Sequence, residues 1–346
     1  MNQRRTLCGL AVLAMVLSGL ACSGGDGSGS ADAGGSATTA GGTAAGGGTT
    51  GPGAGPEQSI ASDLKRAHGA PAVLHAHSID TLLLTGQAVE LASVLAGTGQ
   101  LMTSGTLTQV GASYTYAPEP TDRLVVVLLD GRRFELTVSQ AQGDFSQGSS
   151  GFFAADHQYA VRVVLGDELD INLSSSQSAG TRQIGVQGAW ATGGVVYTVN
   201  GSISGTTYFQ NDSAGSQFNT QTQTTGSITT PGFSTQLNES WTYEMVTSTG
   251  SGGGSASAAT RSLANVVELA GHTYTWDNVS VQFSYKNGKP SQLVDYWQAS
   301  GQVLKDGQAF GTYRKDVQPL GQDTGYIKFV LDTPEGAIEL ESHQAY

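Results

Sequence analysis

His75 and His77 stand two residues apart, with Asp80 close behind. If that segment is extended, both imidazoles lie on one face, and with the carboxylate they supply the donors of a divalent-metal site. The plainer alternative is two surface histidines in a short connecting segment; His68, His157, His272 and His343 are scattered along the rest of the chain. Asp167, Glu168, Asp170 and Asn172 crowd one turn. Calcium needs several oxygens converging on a rigid loop, but the Asp-x-Asp-x-Asp-Gly spacing is missing, and the group reads as a solvated hairpin tip. Glu335, Glu339 and Glu341 alternate along one strand, which suits a charged outer face that discourages edge pairing better than an acid/base pair for glycoside chemistry. These patterns assign no catalytic residue, no metal ligand and no cofactor.

Motifs with a fixed chemistry are missing as well. There is no Gly-x-Ser-x-Gly elbow and no His-Glu-x-x-His, and the glycine run at 250–254 lacks the helix and lysine that phosphate binding requires. Aromatic residues concentrate towards the C-terminus: Tyr274, Trp276, Tyr285, Tyr296, Trp297, Tyr313 and Tyr326. Such rows either pack a core or present rings to a sugar or an apolar ligand. Adjacent strand residues point to opposite faces, so Tyr296 and Trp297 cannot both enter one core; they are the candidate ligand-binding pair.

The elements that would position these side chains are strands. Turn dipeptides Asp130-Gly131, Gly166-Asp167, Gly193-Gly194, Asn200-Gly201, Asn287-Gly288 and Asp306-Gly307, with Pro334-Glu335-Gly336, sit between alternating or β-branched runs. Seven hairpins imply antiparallel pairing of sequence neighbours. The expected class is all-β: a meander of fourteen to sixteen strands, closed like a barrel or split into a two-sheet sandwich. Val279, Val281, Phe283 and Tyr285 share a face, as do Phe134, Leu136 and Val138, and also Leu237, Trp241, Tyr243 and Met245. Leu124–Leu129 is apolar on both sides and reads as central. Gln217–Thr225 is polar on both sides and reads as an edge strand or an extension beyond the core.

Little helix is expected, and only near residues 60–96. One short piece is Ser62–His68, ended by Gly69; another is Gln87–Ala96. Residues 250–259 form a flexible Gly/Ser/Ala run, either a loop or a sub-boundary around 248–261. A faint similarity links 99–138 to 301–341, each opening on Gly-Gln and continuing as strand–turn–strand.

The N-terminus carries an address. Arg4 and Arg5 precede an apolar stretch, Leu7–Leu17, of signal-peptide length. Ser18-Gly19-Leu20-Ala21-Cys22 follows and resembles the lipobox of bacterial lipoproteins, although Gly19 stands where leucine is commonest. The resemblance implies cleavage of residues 1–21 and a diacylglycerol on Cys22, with Ser23 favouring the outer membrane. Gly19 and Ala21 would also suit the general signal peptidase. Lipidation is favoured because Cys22 has no disulfide partner once Cys8 is removed, and because a tether follows. Residues 22–57, from Cys22 to Glu57, are otherwise Gly, Ala, Ser and Thr with two Pro and two Asp, and no aromatic, Lys or Arg. Such a chain stays flexible and, at about 35 residues, reaches roughly 30–35 Å. Lipid on Cys22 would make the membrane a partner, with the domain over 58–346 standing off it in the cell envelope.

Composition bounds the partners further. The net charge of −12 becomes −14 without Arg4 and Arg5, which argues against nucleic acid. After Leu7–Leu17 no further apolar stretch reads as a membrane span. The expected function is a non-enzymatic binding or structural module for an envelope glycan, a lipid or a protein. The alternatives are an envelope hydrolase with loop carboxylates, and a surface adhesion or assembly protein.

Overall fold

The computed structural model describes residues 56–143, 156–192, 194–212, 215–248, 255–286, 297–319 and 325–345. Within them one helix, α1 (Pro56–Ala96), precedes seventeen strands. The first nine are β1 (Gly105–Val110), β2 (Ser113–Ala117), β3 (Leu124–Val127), β4 (Arg133–Gly143), β5 (His157–Leu165), β6 (Leu169–Ser178), β7 (Thr181–Thr192), β8 (Val195–Asp212) and β9 (Gly215–Thr229). Then come β10 (Phe233–Ser248), β11 (Ser255–Leu263), β12 (Val266–Leu269), β13 (His272–Lys286), β14 (Trp297–Lys305), β15 (Gln308–Pro319), β16 (Gly325–Thr333) and β17 (Gly336–Ala345).

All seventeen belong to one sheet. Its ladders run β2–β1–β3–β4 and then strand by strand to β17, with β11 and β12 end to end between β10 and β13. Every described ladder is antiparallel except β1–β3. The all-β meander is thus present as one continuous sheet rather than a two-sheet sandwich. Burial in β6 alternates residue by residue from Leu169 to Ser178, so one face is covered and the other solvated. At Asp306-Gly307 the φ angles are 51° and 79°, the left-handed pair that a tight two-residue hairpin requires.

What covers the inner face is α1. It touches strands from β2 through β6, β10 and β12 to β17, across nearly the whole sheet, so the sheet must curve around it. Its C-terminal part, with Leu74, Leu82, Leu84 and Val89, packs on Leu124, Phe134, Val161, Ile171 and Ile203. Its N-terminal part, with Leu64 and Ala67, packs on Leu263, Trp276, Val303, Phe329 and Leu331. One helix therefore joins two cores.

This 41-residue helix replaces the two short pieces expected. Gly69 and Pro71 within it read locally as a stop, at about 1 and 3 kcal/mol. Burial outweighs them: Leu64, Leu74, Leu82 and Leu84 are all fully buried, at about 1.5–3 kcal/mol each. The segment Ile60–Ala96 also has the length and hydropathy of a membrane span, contrary to the reading above. Leu64, Leu74, Leu82, Leu84 and Val89 of this segment pack on the sheet, while Val73, Val94 and Leu95 are exposed.

Other expectations change in pairing. β9, which contains Gln217–Thr225, is paired along its length by β8 and β10 and is no edge. Its polarity reflects how little of it is covered: among its described side chains only Thr224 and Ile228 are buried. Asn200-Gly201 lies inside β8, not in a turn. Of the run 250–259, residues 250–254 lie outside the described residues, while 255–259 open β11, paired with β10 and, from Ala256 on, with β13 as well. Asn287-Gly288 lies outside the described residues. The 99–138 and 301–341 segments differ in topology, since β1 pairs with both β2 and β3 whereas β14–β17 is a plain meander.

Candidate functional site

Strands β10, β11, β13 and β14 are neighbours, and their registers set two rows of residues across the inner face. One row is Trp241, Arg261, Val281 and Ala299; the next is Tyr243, Ala259, Phe283 and Trp297. Small side chains in the middle of the rows, Ala259 and Val281, leave space between the rings. The result is a cavity of about 310 Å³ walled by Trp241, Tyr243, Phe283, Trp297 and Phe329. Phe283 and Trp297 are 5.0 Å apart at their centroids, Trp297 and Phe329 5.9 Å, and Trp241 and Tyr243 6.2 Å.

The charged lining of this cavity is Arg261 and Glu341. Glu341 arrives by a β-bulge in β17: Phe329 pairs with Glu341 but its neighbour Val330 pairs with Glu339. The extra residue, Leu340, shifts the alternation, so Leu340 is buried and Glu341 turns towards Arg261. The three glutamates read as one charged face are thereby split. Glu339 stays outside with Lys328 at 2.6 Å and Lys65 at 4.0 Å.

Behind the cavity lies a buried charge network. Arg261 donates from Nε to Glu239 Oε1 (2.6 Å), from Nη2 to Glu239 Oε2 (3.2 Å) and from Nη1 to Glu341 Oε2 (2.9 Å). Its side chain is 15% exposed, Glu239's 13% and Glu341's 25%. Burial opposes the charge on Arg261, but the two carboxylates outweigh it and its pKa moves up. His68 of α1 reaches the same Glu341 oxygen from Nε2 at 3.3 Å. A carboxylate can only accept, so Nε2 carries the proton. Burial drives the His68 pKa down despite that hydrogen bond, which keeps the ring neutral. The network then holds one positive and two negative charges. His68 also lies against Trp276 (6.2 Å) and Tyr313 (5.7 Å). His68 Nδ1, Trp276 Nε1 and the Tyr313 hydroxyl are buried without a protein hydrogen-bond partner.

Of the residues singled out from sequence, Trp297 lines this cavity and Tyr296 lies outside the described residues. Tyr274, Trp276 and Tyr313 are core. His75 and His77 are on a helix, where a spacing of two separates them around the axis; burial lowers both pKa values, and no group of three potential metal ligands occurs among the described residues. At the acidic turn, Asp170 is held by the Arg162 guanidinium through contacts of 2.9 and 2.7 Å. Missed were Trp241, Phe283, Phe329, Arg261, Glu239 and His68, and Glu341, expected on an outer face, points inward. One signal for them was available: Glu239 sits on the same strand face as Leu237, Trp241 and Tyr243, a charge on an apolar stripe.

A larger concavity, about 540 Å³, lies on the outer faces of β4–β8. It is more open, and its charged lining residue, Arg162, is already engaged by Asp170. The aromatic cavity, with convergent polar groups at its base, is the better candidate. Compared with protein-family models, with curated proteins and with solved structures, this chain finds no match.

Proposed function

We propose that this chain is a lipid-anchored envelope protein whose β domain binds a small organic ligand, or an exposed group of a larger one, in the aromatic cavity. The observation that carries the binding reading is the cavity itself: five rings around about 310 Å³, with Arg261 and Glu341 at its base. Rings of this kind contribute large contact area at low entropic cost, and a few polar groups set orientation. Glu239 and Glu341 both hold one guanidinium, which suits a rigid binding floor better than a pair of carboxylates working across a cleft.

The anchor reading rests on the lipobox-like Ser18–Cys22 and on the 22–57 tether. Lipid at Cys22 would hold the start of the β domain at a typical distance of about 30–35 Å from a membrane. The test has two arms. Tryptophan fluorescence of the mature chain, titrated with envelope-derived sugars, amines and fatty acids, is expected to respond to at least one class and to lose the response in Trp297→Ala. Flat titrations with every class would refute the binding reading. Cys22→Ser is expected to abolish radiolabelled acyl incorporation and to release the chain from membranes; retention there would refute the anchor.

A further inference from the structure

We infer that the aromatic cavity recognises a quaternary ammonium group. This deepens the binding reading above and rests on it. Three observations bear on the class of ligand. The first is the wall. Two of its five rings are tryptophans, whose faces attract cations best, and neighbouring rings stand 5.0–6.2 Å apart, so that one small group can meet several of them.

The second is the charge at the base. Arg261 faces two carboxylates, Glu239 and Glu341, and the His68 imidazole that completes the network is neutral. A net negative charge in a partly buried setting attracts a cation and repels an anion. The side-on fork of Arg261, Nε with Nη2, already grips Glu239 and its Nη1 grips Glu341, so three of its five N–H donors are committed to the protein's own carboxylates. The overall charge of −12 adds long-range attraction of the same sign.

The third is the scarcity of acceptors. A primary ammonium carries three N–H donors and needs acceptors for them when it leaves water. The cavity lining supplies one carboxylate, Glu341, whose Oε2 already accepts from Arg261 and His68. A trimethylammonium group has no N–H to satisfy and presents methyl groups to the rings. Trp241, 41% exposed, is the most open of the wall residues and leaves room for a substituent to extend outwards.

The experiment is a calorimetric and tryptophan-fluorescence titration of the full mature chain with choline and tetramethylammonium chlorides. Ethanolamine and 3,3-dimethylbutan-1-ol, the uncharged isostere of choline, are the comparison probes. Choline is expected to bind at least about tenfold more tightly than either. Trp297→Ala is expected to weaken choline by about tenfold or more, and Trp297→Phe by less; unchanged thermal melts show that both variants fold. Equal binding of choline and its isostere would overturn the cation inference while leaving an apolar binding cavity in place. Binding of a fatty acid or sugar with none of choline would do the same. Binding of no probe at all would overturn both readings. Sedimentation with phosphatidylcholine against phosphatidylglycerol vesicles identifies the source. Retention on the former, competed by free choline, indicates a lipid headgroup; choline binding without retention indicates a soluble ligand.

Discussion

Arg261 and Glu341 lie 80 positions apart in the chain and meet at 2.9 Å inside the sheet. β11 and β17 are not hydrogen-bonded neighbours in the described ladders, so this contact crosses the interior rather than following a strand pair. It ties the last strand to the middle of the meander, and His68 brings the helix to the same oxygen. The contact records the curvature of the sheet, and it forms the base of the aromatic cavity.

Breaking this contact from one side leaves an unmatched charge in a poorly solvated place. Arg261→Met strands Glu239 and Glu341 together and is expected to destabilise the domain by about 3 kcal/mol. The double variant Arg261→Met with Glu341→Gln removes one of the stranded charges and should recover part of that loss. Urea unfolding of the single and double variants measures the coupling; strictly additive losses would mean the two side chains act independently.

Stability should depend on pH through the helix histidines. Burial lowers the pKa of His68, His75 and His77 below the ordinary 6.5. A group whose folded pKa is depressed by burial is protonated first in the unfolded chain. Its stabilising contribution is therefore complete above pH 6.5 and shrinks as pH falls from 6.5 towards the folded value. Asp80, raised by its own burial, acts with the opposite sign, but in a window that opens at its ordinary 3.8. The urea midpoint is thus expected to rise from pH 5 to 7 and to level off above. His68→Gln, which can keep a donor on Glu341, should flatten the rise. A midpoint that falls over this range would contradict the assignment of neutral, buried imidazoles.

The strands were legible because each buries one face, and a period of two survives in sequence. The Asp306-Gly307 turn was legible because few residues tolerate two successive left-handed φ angles. The helix was not, since Gly69 and Pro71 signal a stop that only tertiary burial overrides. Trp297 stands out in sequence as one of a pair that cannot share a face, and it lies against the core, beside Phe283 and Phe329. Its partners were hidden for another reason. Glu341 faces inward only because of the bulge at Leu340, and Arg261 reaches it only because the sheet curves. Neither the bulge nor the curvature has a signature within a single strand.

Pro71 offers a test of the helix. In a helix interior a proline lacks the N–H that would bond the carbonyl of Ala67, a penalty of about 3 kcal/mol. Pro71 is also buried, so its removal forfeits some packing. Pro71→Ala is expected to stabilise the protein by about 1–2 kcal/mol net. Differential scanning calorimetry checks this through a higher melting temperature. A lower one would mean that the ring's packing outweighs the helix penalty or that the chain is not helical there.

Ala259 separates cavity binding from surface binding. It lies between Tyr243 on β10 and Phe283 on β13, in the row that walls the cavity. Ala259→Leu adds apolar volume where there is already space, so it should cost less than about 1 kcal/mol, in contrast to the 1–3 kcal/mol of overfilling a packed core. Wall residues Trp241 and Trp297 and the Arg261–Glu341 base would all remain. A ligand held among the rings must then compete with the new side chain, and its affinity should drop by about tenfold or more, the equivalent of 1.4 kcal/mol. A ligand resting on the outer surface of Trp241 would be unaffected. Titration of this variant beside Trp297→Ala therefore distinguishes a filled cavity from a lost ring, and unchanged affinity in Ala259→Leu would place the ligand elsewhere.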